Sequence, residues 1–315
     1  MSRDKACRDR RRVHDWRAGP CSGTLESLTN TLGDCVRDPR TPPTIRIATY
    51  NVHGCVGLDR RQDAGRVARV LRDLDADIIG LQEVLGQGAD LETMTVFPVT
   101  SKGDAPGRDQ LAVFADHLGY EARAGANLMR EGRRFGNALL SRHPIVSARR
   151  LNLAHGNGRE PRGAIDAVIS APAGVVRVLV THFGLGGPER AWQAARLAEY
   201  LAEPPPGVPA LVPAATIVLG DFNDMWPPSK TYHPMIEALG GRPPWRRTWP
   251  APAPILPLDK IWPGPGAHLE DAQAWRGPGA RVASDHLPLV GRLALDPVAP
   301  NFHATDPRTA LRSAP

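Results

Sequence analysis

Residues 217–223, Ile-Val-Leu-Gly-Asp-Phe-Asn, constrain the fold of this chain more than any other segment. Three apolar residues predict a buried strand that runs into Gly220 and then delivers Asp221 and Asn223. Positions i and i+2 of an extended backbone face the same way, so we expect both polar side chains to project together from the strand end. Such a pair can orient a water molecule. The alternative is a strand that ends in an Asx turn.

The same design, an apolar segment next to polar residues, recurs along the chain. The polar residues are Asn51 after residues 45–50, Glu83 after residues 78–81, His182 after residues 175–180, Asp259 within residues 258–262, and Asp285 with His286 before residues 287–293. A single residue of this kind at a strand end is usually a turn residue. A whole set of them, all of types that bind metals or transfer protons, predicts one shared site.

Seven motifs occur in a characteristic order: TYNVHG, GLQEV, GNALLS, VTHFGL, LGDFND, LDKIW and SDHLPLV. Together they resemble a bacterial-type member of the endonuclease/exonuclease/phosphatase superfamily, which includes deoxyribonuclease I, AP endonucleases, neutral sphingomyelinases and inositol polyphosphate phosphatases. The resemblance spans about residues 44–294. It implies an α/β (α+β) fold: a four-layer, deoxyribonuclease I-like sandwich of two packed mixed β-sheets flanked by helices. The alternation of predicted strands and helices independently favours a layered α/β domain.

Apolar periodicity predicts three helices. They cover residues 64–74, residues 111–118 before Gly119, and a segment that Pro188 opens, with Trp192 on its inward face. Residues 203–213 are rich in proline and are predicted to connect elements without forming a helix or a central strand.

Length and charge predict one catalytic domain between two tails. The chain has 315 residues, 42% of them hydrophobic, and can bury a sizeable core. Much of the net charge of +6 falls in the first twelve residues. We therefore expect a basic, disordered tail at residues 1–43, a mildly basic domain at residues 44–295 and a second tail at residues 296–315. A charge excess of this size does not single out nucleic acid as the substrate.

Nothing in the sequence predicts export or a membrane anchor. No apolar run reaches the length of a membrane span, and the N-terminus lacks the apolar core of a signal peptide. The four cysteines form no CxxC pairs. These features favour a cytoplasmic protein with free thiols, and no protein partner is implied.

The resemblance, together with the chemistry of phosphate esters, assigns a metal centre. Hydrolysis requires neutralised phosphoryl charge, an aimed water and a stabilised leaving oxygen. A hard divalent ion serves the first and last needs and prefers oxygen ligands. Glu83 and Asp285 are the predicted ligands, with Asn51 contributing its amide oxygen directly or through water. Mg²⁺ is the expected ion and Mn²⁺ a plausible substitute.

The proton-handling residues follow from the same resemblance. His286 is the natural candidate for the base, and the family pattern pairs it with Asp259. Asp221 would orient the attacking water, Asn223 would hold that water or a phosphoryl oxygen, and His182 would donate to a phosphoryl oxygen or to the leaving group. Whether Asp221 or the His286–Asp259 pair takes the proton stays open at this point.

Two supporting residues have two interpretations each. Arg162 could clamp the phosphate bidentately or be a surface residue after a turn. Asn137 could support the site or belong to a structural turn. His53 lies two positions after Asn51 and shares its face.

The sequence favours a divalent-metal phosphoesterase that prefers phosphodiesters. Within this class, the sequence does not distinguish clearly between a nuclease and a phospholipid head-group hydrolase. The alternative from another class is a catalytically idle protein that binds phosphorylated ligands or nucleic acid. His182 moves the chain away from abasic-site repair, and 5% aromatic residues disfavour extensive base stacking. Trp226, Trp245 and Trp249 could form an apolar rim for a lipid or a base, or pack against the sheet.

Overall fold

The computed structural model describes residues 43–87, 97–98, 109–156, 158–225 and 232–296. Within these ranges the strands are β1 (Thr44–Asn51), β2 (Ile78–Gly86), β3 (Phe97–Pro98), β4 (Glu121–Arg130), β5 (Arg133–Ser141), β6 (Ile145–Asn152), β7 (Gly163–Ala171), β8 (Gly174–His182), β9 (Ala215–Asp221), β10 (Asp259–Pro263), β11 (Ala267–Ala274) and β12 (Leu289–Leu295). The helices are α1 (Ala64–Leu74), α2 (Gln110–Leu118), α3 (Gly187–Ala202), α4 (His233–Leu239) and α5 (Ala280–Ala283), with a short 3-10 turn at His53–Cys55.

The strands form two mixed sheets. The larger has seven strands in the order β11-β12-β1-β2-β5-β4-β3, and the smaller has five in the order β10-β9-β8-β7-β6. Each sheet contains one parallel pair, β1 with β2 and β8 with β9, and its other pairs are antiparallel. The mixed character predicted from the resemblance is confirmed.

The main core fills the space between the sheets. Apolar residues from both inner faces pack there, among them Ile47 and Ile78 from the large sheet and Val178 and Ile217 from the small one. Gly80 lets the sheets approach closely, because a Cβ at this position would lie 3.0 Å from the Val180 side chain. Helices α1 and α2 cover the outer face of the large sheet, and α3 and α4 cover that of the small sheet. The architecture is an α+β sandwich, as predicted.

The helices begin and end where local chemistry dictates. Asp63 and Asp109 accept hydrogen bonds from the first turns of α1 and α2, and these helices end at left-handed Asp75 and Gly119. Helix α1 has the predicted bounds, and α2 begins one residue earlier than predicted. Residues 203–213 form neither helix nor strand, which confirms the predicted connector.

The predicted inward face of α3 is wrong. Trp192 is 40% exposed and stacks edge-on against His155, whereas the buried positions are Glu189, Gln193, Ala194 and Leu197. The apolar period placed Trp192 inward, but polar side chains occupy part of the buried face. Gln193, for example, accepts from Gly184 N and donates to the carbonyl oxygen of Leu153.

The strand directions bring several strand ends to one edge of the sandwich. The parallel pairs end together, so the last residues of β1, β2, β8 and β9 share that edge with the first residues of antiparallel β10 and β12. The tails predicted at residues 1–43 and 296–315, and Trp226, lie almost entirely outside the described ranges. No helix within those ranges is long and apolar enough to cross a membrane.

Candidate active site

Asp221 and Asn223 meet at this edge, but not for the predicted reason. Asp221 is the last residue of β9, whereas Asn223 lies beyond the strand in a left-handed conformation with φ +48°. The Asp221 carboxylate accepts a hydrogen bond from Asn223 N at 2.9 Å. The strand therefore ends in an Asx turn, which was the alternative interpretation of this segment. The turn itself, rather than the strand pleat, points the Asn223 amide into the site.

His182 ends the neighbouring strand β8 and faces both residues. Its Nε2 lies 3.6 Å from the Asp221 carboxylate and 3.1 Å from the Asn223 amide nitrogen. Arg162 lies 3.3 Å from Nδ1, and because the guanidinium and the Asn223 amide nitrogen are both donors, the neutral ring can accept a hydrogen bond from only one of them. Burial, reinforced by Arg162, lowers the pKa of His182 to about 3, so the ring is neutral near pH 7.

His286 is held by a buried carboxylate. His286 Nδ1 donates to Asp259 at 2.8 Å, the orienting hydrogen bond that the sequence predicts. Thr248 donates to the same Asp259 oxygen at 2.5 Å. His286 Nε2 lies 3.7 Å from Asp221, so the ring stands between two carboxylates. Burial opposes charge on the ring, but Asp259 and Asp221 outweigh it and raise the pKa of His286 to about 10.

Glu83 reaches the site through an irregularity in β2. The register of β2 with β5 shifts between Leu81 and Val84, and Glu83 has φ +60°. This β-bulge re-aims its carboxylate, which accepts a hydrogen bond from Asn51 Nδ2 at 3.0 Å. A left-handed glutamate is costly unless the surrounding structure enforces it, and such strain concentrates at functional sites.

Asn51 joins the two sheets across the site. Its Nδ2 also donates to Asp221 at 3.0 Å, while its Oδ1 accepts from His53 N at 3.0 Å. The amide therefore presents nitrogen, and not the predicted oxygen ligand, to the neighbouring carboxylates.

Asp285 lies beside Glu83 on the more open side of the site. Trp249 Nε1 donates to Asp285 at 3.2 Å, and Ser284 Oγ donates to the carbonyl oxygen of Asn51 at 2.7 Å. His53 Nδ1 lies 3.6 Å from the Asp285 carboxylate and 3.7 Å from that of Glu83. The two predicted metal ligands thus flank a single imidazole nitrogen.

The structure places Arg162 beside the site. Its side chain is only 10% exposed and ends between Glu160 and His182, so it is not a surface residue. Asn137 lies within β5, so the predicted turn is wrong. Its side chain donates to the carbonyl oxygen of Gly163 at 2.8 Å and so links one sheet to the other.

Two features of the site escaped the sequence. Thr248 donates to Asp259, and Ser284 ties the Asp285 segment to Asn51. Thr248 lies outside any apolar period, and the motif that includes Ser284 predicted no role for its hydroxyl. A second group, Asp221, Asp259 and His286, offers three potential ligand atoms within 4.8 Å of one another. Asp259 already accepts from Thr248 and His286, so this group suits the orientation of a ring better than the binding of an ion.

Carboxylates, carboxamides and two histidines at one edge of two packed sheets define a site of the phosphoester-hydrolase type. The model of the Endonuclease/Exonuclease/phosphatase family matches residues 48–286, and the chain belongs to this family of phosphoesterases.

Several known proteins are similar to this chain. YbhP, an uncharacterized Escherichia coli protein, is 32% identical over 230 residues, which cover 69% of this chain and 84% of that protein. An endonuclease/exonuclease/phosphatase from Beutenbergia cavernae has a TM-score of 0.59 at 22% identity, covering 80% of this chain and 72% of that one. A mannosyl-6-phosphatase from Bacteroides thetaiotaomicron has a TM-score of 0.57 at 17% identity, covering 79% and 99%. At these identities the structural likenesses establish the fold.

Proposed function

We propose that the chain is a divalent-metal-dependent phosphoesterase that favours phosphodiesters, with water attacking phosphorus in line. One observation carries the proposal. The buried carboxylate of Asp221 lies within 3.7 Å of the Nε2 atoms of both His182 and His286. A proton acceptor surrounded by two potential donors to phosphoryl oxygens is the arrangement that phosphate-ester hydrolysis needs.

The donor chemistry on the open side of the site fits a hard divalent cation. Glu83 and Asp285 offer carboxylate oxygens, the ligands that Mg²⁺ and Mn²⁺ prefer. Asn51 would join them only with its amide reversed or through a water. A bound ion would supply neutralisation of phosphoryl charge.

The protein's own groups divide the remaining work. Asp221 orients the attacking water and accepts its proton, because Asn51 and Asn223 N hold the carboxylate while it faces the site. His286 stands between Asp221 and Asp259, which favours the imidazolium. It therefore stabilises developing phosphoryl charge rather than acting as the base. Neutral His182 and the Asn223 amide donate to phosphoryl oxygens, and Arg162 packs against the Nδ1 side of His182.

Two alternatives retain some support. The named activity of the mannosyl-6-phosphatase neighbour keeps monoesters as a second substrate class. A catalytically idle binding protein would keep the fold but has no chemical need for the complete set of Asp221, His182, His286 and Asp259. Nuclease and head-group hydrolase activities both remain compatible with the site.

A substrate panel tests the proposal. The purified chain would be assayed with Mg²⁺ or Mn²⁺ on bis-p-nitrophenyl phosphate, p-nitrophenyl phosphate, plasmid DNA, sphingomyelin and inositol phosphates. We expect hydrolysis of a diester that is abolished by EDTA and restored by the ion. Hydrolysis that survives exhaustive chelation would refute metal dependence, and an inert protein that binds these compounds would favour the idle alternative.

A further inference from the structure

Two arginines meet on one carboxylate beside the candidate active site. Arg162 Nη1 donates to Glu160 Oε1 at 2.6 Å, and Arg130 donates to Glu160 Oε2 at 2.9 Å. Each oxygen of the carboxylate is therefore bound by a different guanidinium group. The same Arg162 Nη1 lies 3.3 Å from His182 Nδ1. One guanidinium nitrogen thus contacts both this bound oxyanion and a histidine of the site.

Both guanidinium groups are also held by contacts that do not involve Glu160. The Arg130 guanidinium lies over the ring of buried Phe135, 3.7 Å from its centroid. The Arg162 side chain is only 10% exposed, and its Nε is buried without a hydrogen-bond partner among the described residues. After burial and Arg162, the charge of Arg130 is a further cause of the low pKa of His182. The two positive charges therefore lie on the side of the active site.

Glu160 is a replaceable occupant of the space between the two arginines. Its side chain is 34% exposed and that of Arg130 is 43% exposed, and ion pairs with this exposure contribute little to stability. A phosphate group carries more charge than a carboxylate, and two of its oxygens can bind two guanidinium groups at once. A phosphate can therefore take the place of the Glu160 carboxylate while both arginines keep their positions.

We propose that Arg130 and Arg162 form a subsite for a second phosphate of the substrate, and that Glu160 occupies this subsite in its absence. The inference rests on the proposed function and narrows its substrate class. The preferred phosphodiester carries another phosphate next to the one that reacts, because Arg162 contacts both the subsite and His182. Paired phosphates of this kind occur in a nucleic-acid backbone and in small bisphosphorylated molecules, whereas the head group of sphingomyelin carries one phosphate.

Two chromogenic diesters that differ by one phosphate test the subsite. The p-nitrophenyl ester of thymidine 5′-phosphate presents a single phosphodiester, and its 3′-phosphorylated form adds a second phosphate to the same reacting group. The 3′-phosphorylated ester should have a higher kcat/KM by about tenfold to a hundredfold, mainly through KM, since hydrogen bonds between charged groups are strong. The measured quantity is the ratio of the two kcat/KM values.

Two variants should move this ratio in opposite directions. Arg130→Gln removes one of the two guanidinium groups and should lower the ratio by about tenfold. Glu160→Gln removes the competing negative charge and should raise the ratio. Arg123 is the matched control, because it pairs with Glu121 at 3.4 Å on the same strand β4 and lies away from the site. Arg123→Gln should leave the ratio unchanged.

Binding provides the readout if neither ester is hydrolysed. Calorimetry would compare thymidine 3′,5′-bisphosphate with thymidine 5′-phosphate. Tighter binding of the bisphosphate that is lost in Arg130→Gln would support the subsite even if the proposed hydrolysis failed. Equal kcat/KM values for the two esters, or a ratio that folded Arg130→Gln and Glu160→Gln leave unchanged, would overturn the subsite and leave the proposed phosphodiesterase intact.

A competition assay distinguishes the two sources of a second phosphate. A short oligothymidylate and thymidine 3′,5′-bisphosphate would each compete with the 3′-phosphorylated ester. Stronger competition by the oligothymidylate would identify a nucleic-acid strand as the source, and stronger competition by the bisphosphate would identify a small molecule. Either result supports the subsite, provided that Arg130→Gln weakens the competition. Competition that is equally strong in Arg130→Gln would overturn it.

Discussion

The two sheets supply the site with different kinds of side chains. The large sheet provides Glu83 and the segment before β12 provides Asp285, whose side chains are 20% and 32% exposed. The small sheet provides Asp221 and Asp259, at 1% and 0%. The first pair is accessible to solvent, and the second is buried and already hydrogen-bonded. Under the proposed function, the open side would bind the ion and the buried side would transfer protons.

The buried side should produce the largest catalytic effect. Asp221→Asn keeps the shape of the side chain but removes the proton acceptor, so turnover should fall by about a hundredfold to ten-thousandfold. The measurement is kcat on bis-p-nitrophenyl phosphate at saturating metal, with thermal unfolding to verify the fold. Asp271→Asn, on exposed β11, is the matched control and should retain activity. A folded Asp221→Asn protein with normal turnover would remove Asp221 from the mechanism.

The open side should show its effect in metal binding. Glu83→Gln removes one charge from the ligand set, so the Mg²⁺ concentration for half-maximal activity should rise about tenfold or more. Turnover at saturating Mg²⁺ should recover most of its value. Glu121→Gln, at the opposite edge of the large sheet, is the control. If Glu83→Gln lowered turnover and left the Mg²⁺ requirement unchanged, the proposed assignment of ion binding to the open side would be wrong.

A smaller effect should come from the support of Asp259. Thr248→Val preserves volume and removes the hydroxyl that donates to the Asp259 carboxylate and accepts from Asp259 N, which should lower the free energy of unfolding by about 1.5–3 kcal/mol. Turnover should fall about five- to tenfold with little change in KM, because the His286 ring is oriented less well. Thr216→Val, at the other end of β9, should leave turnover unchanged. A change in the metal requirement of Thr248→Val would show that the two sides are not separable.

The smallest catalytic effect is expected at the other amide that joins the sheets. Asn137→Ala removes a buried hydrogen bond to Gly163 and should lower the free energy of unfolding by about 1–3 kcal/mol. Turnover should stay within a fewfold of the original. Urea denaturation and steady-state kinetics check this, with exposed Asn152→Ala as control. A large loss of turnover without a loss of stability would place Asn137 in the site.

The sequence predicted strands and their polar ends well because periodicity is local. Residues 217–219 and 175–180 lie within β9 and β8 as predicted, and the helix before Gly119 ends there. The sequence predictions were wrong or silent where tertiary contacts determine which side chains are buried or hydrogen-bonded. The inward face of α3 depends on Gln193, whose partners come from two loops. The role of the Asn51 amide nitrogen depends on Asp221, 170 positions along the chain, and that of Thr248 depends on the fold of the segment that brings it to Asp259.

The pairing of β1 with β12 has a consequence for synthesis. Ser284 donates to Asn51 across 233 sequence positions, and β12 is the last described strand. A ribosome releases the chain from its N-terminus, so one edge of β1 remains unpaired until β12 emerges. The Asp285 segment reaches Asn51 at that same stage. A nascent chain therefore has no complete hydrolytic site during most of its translation, and catalytic competence arrives with the closing of the large sheet.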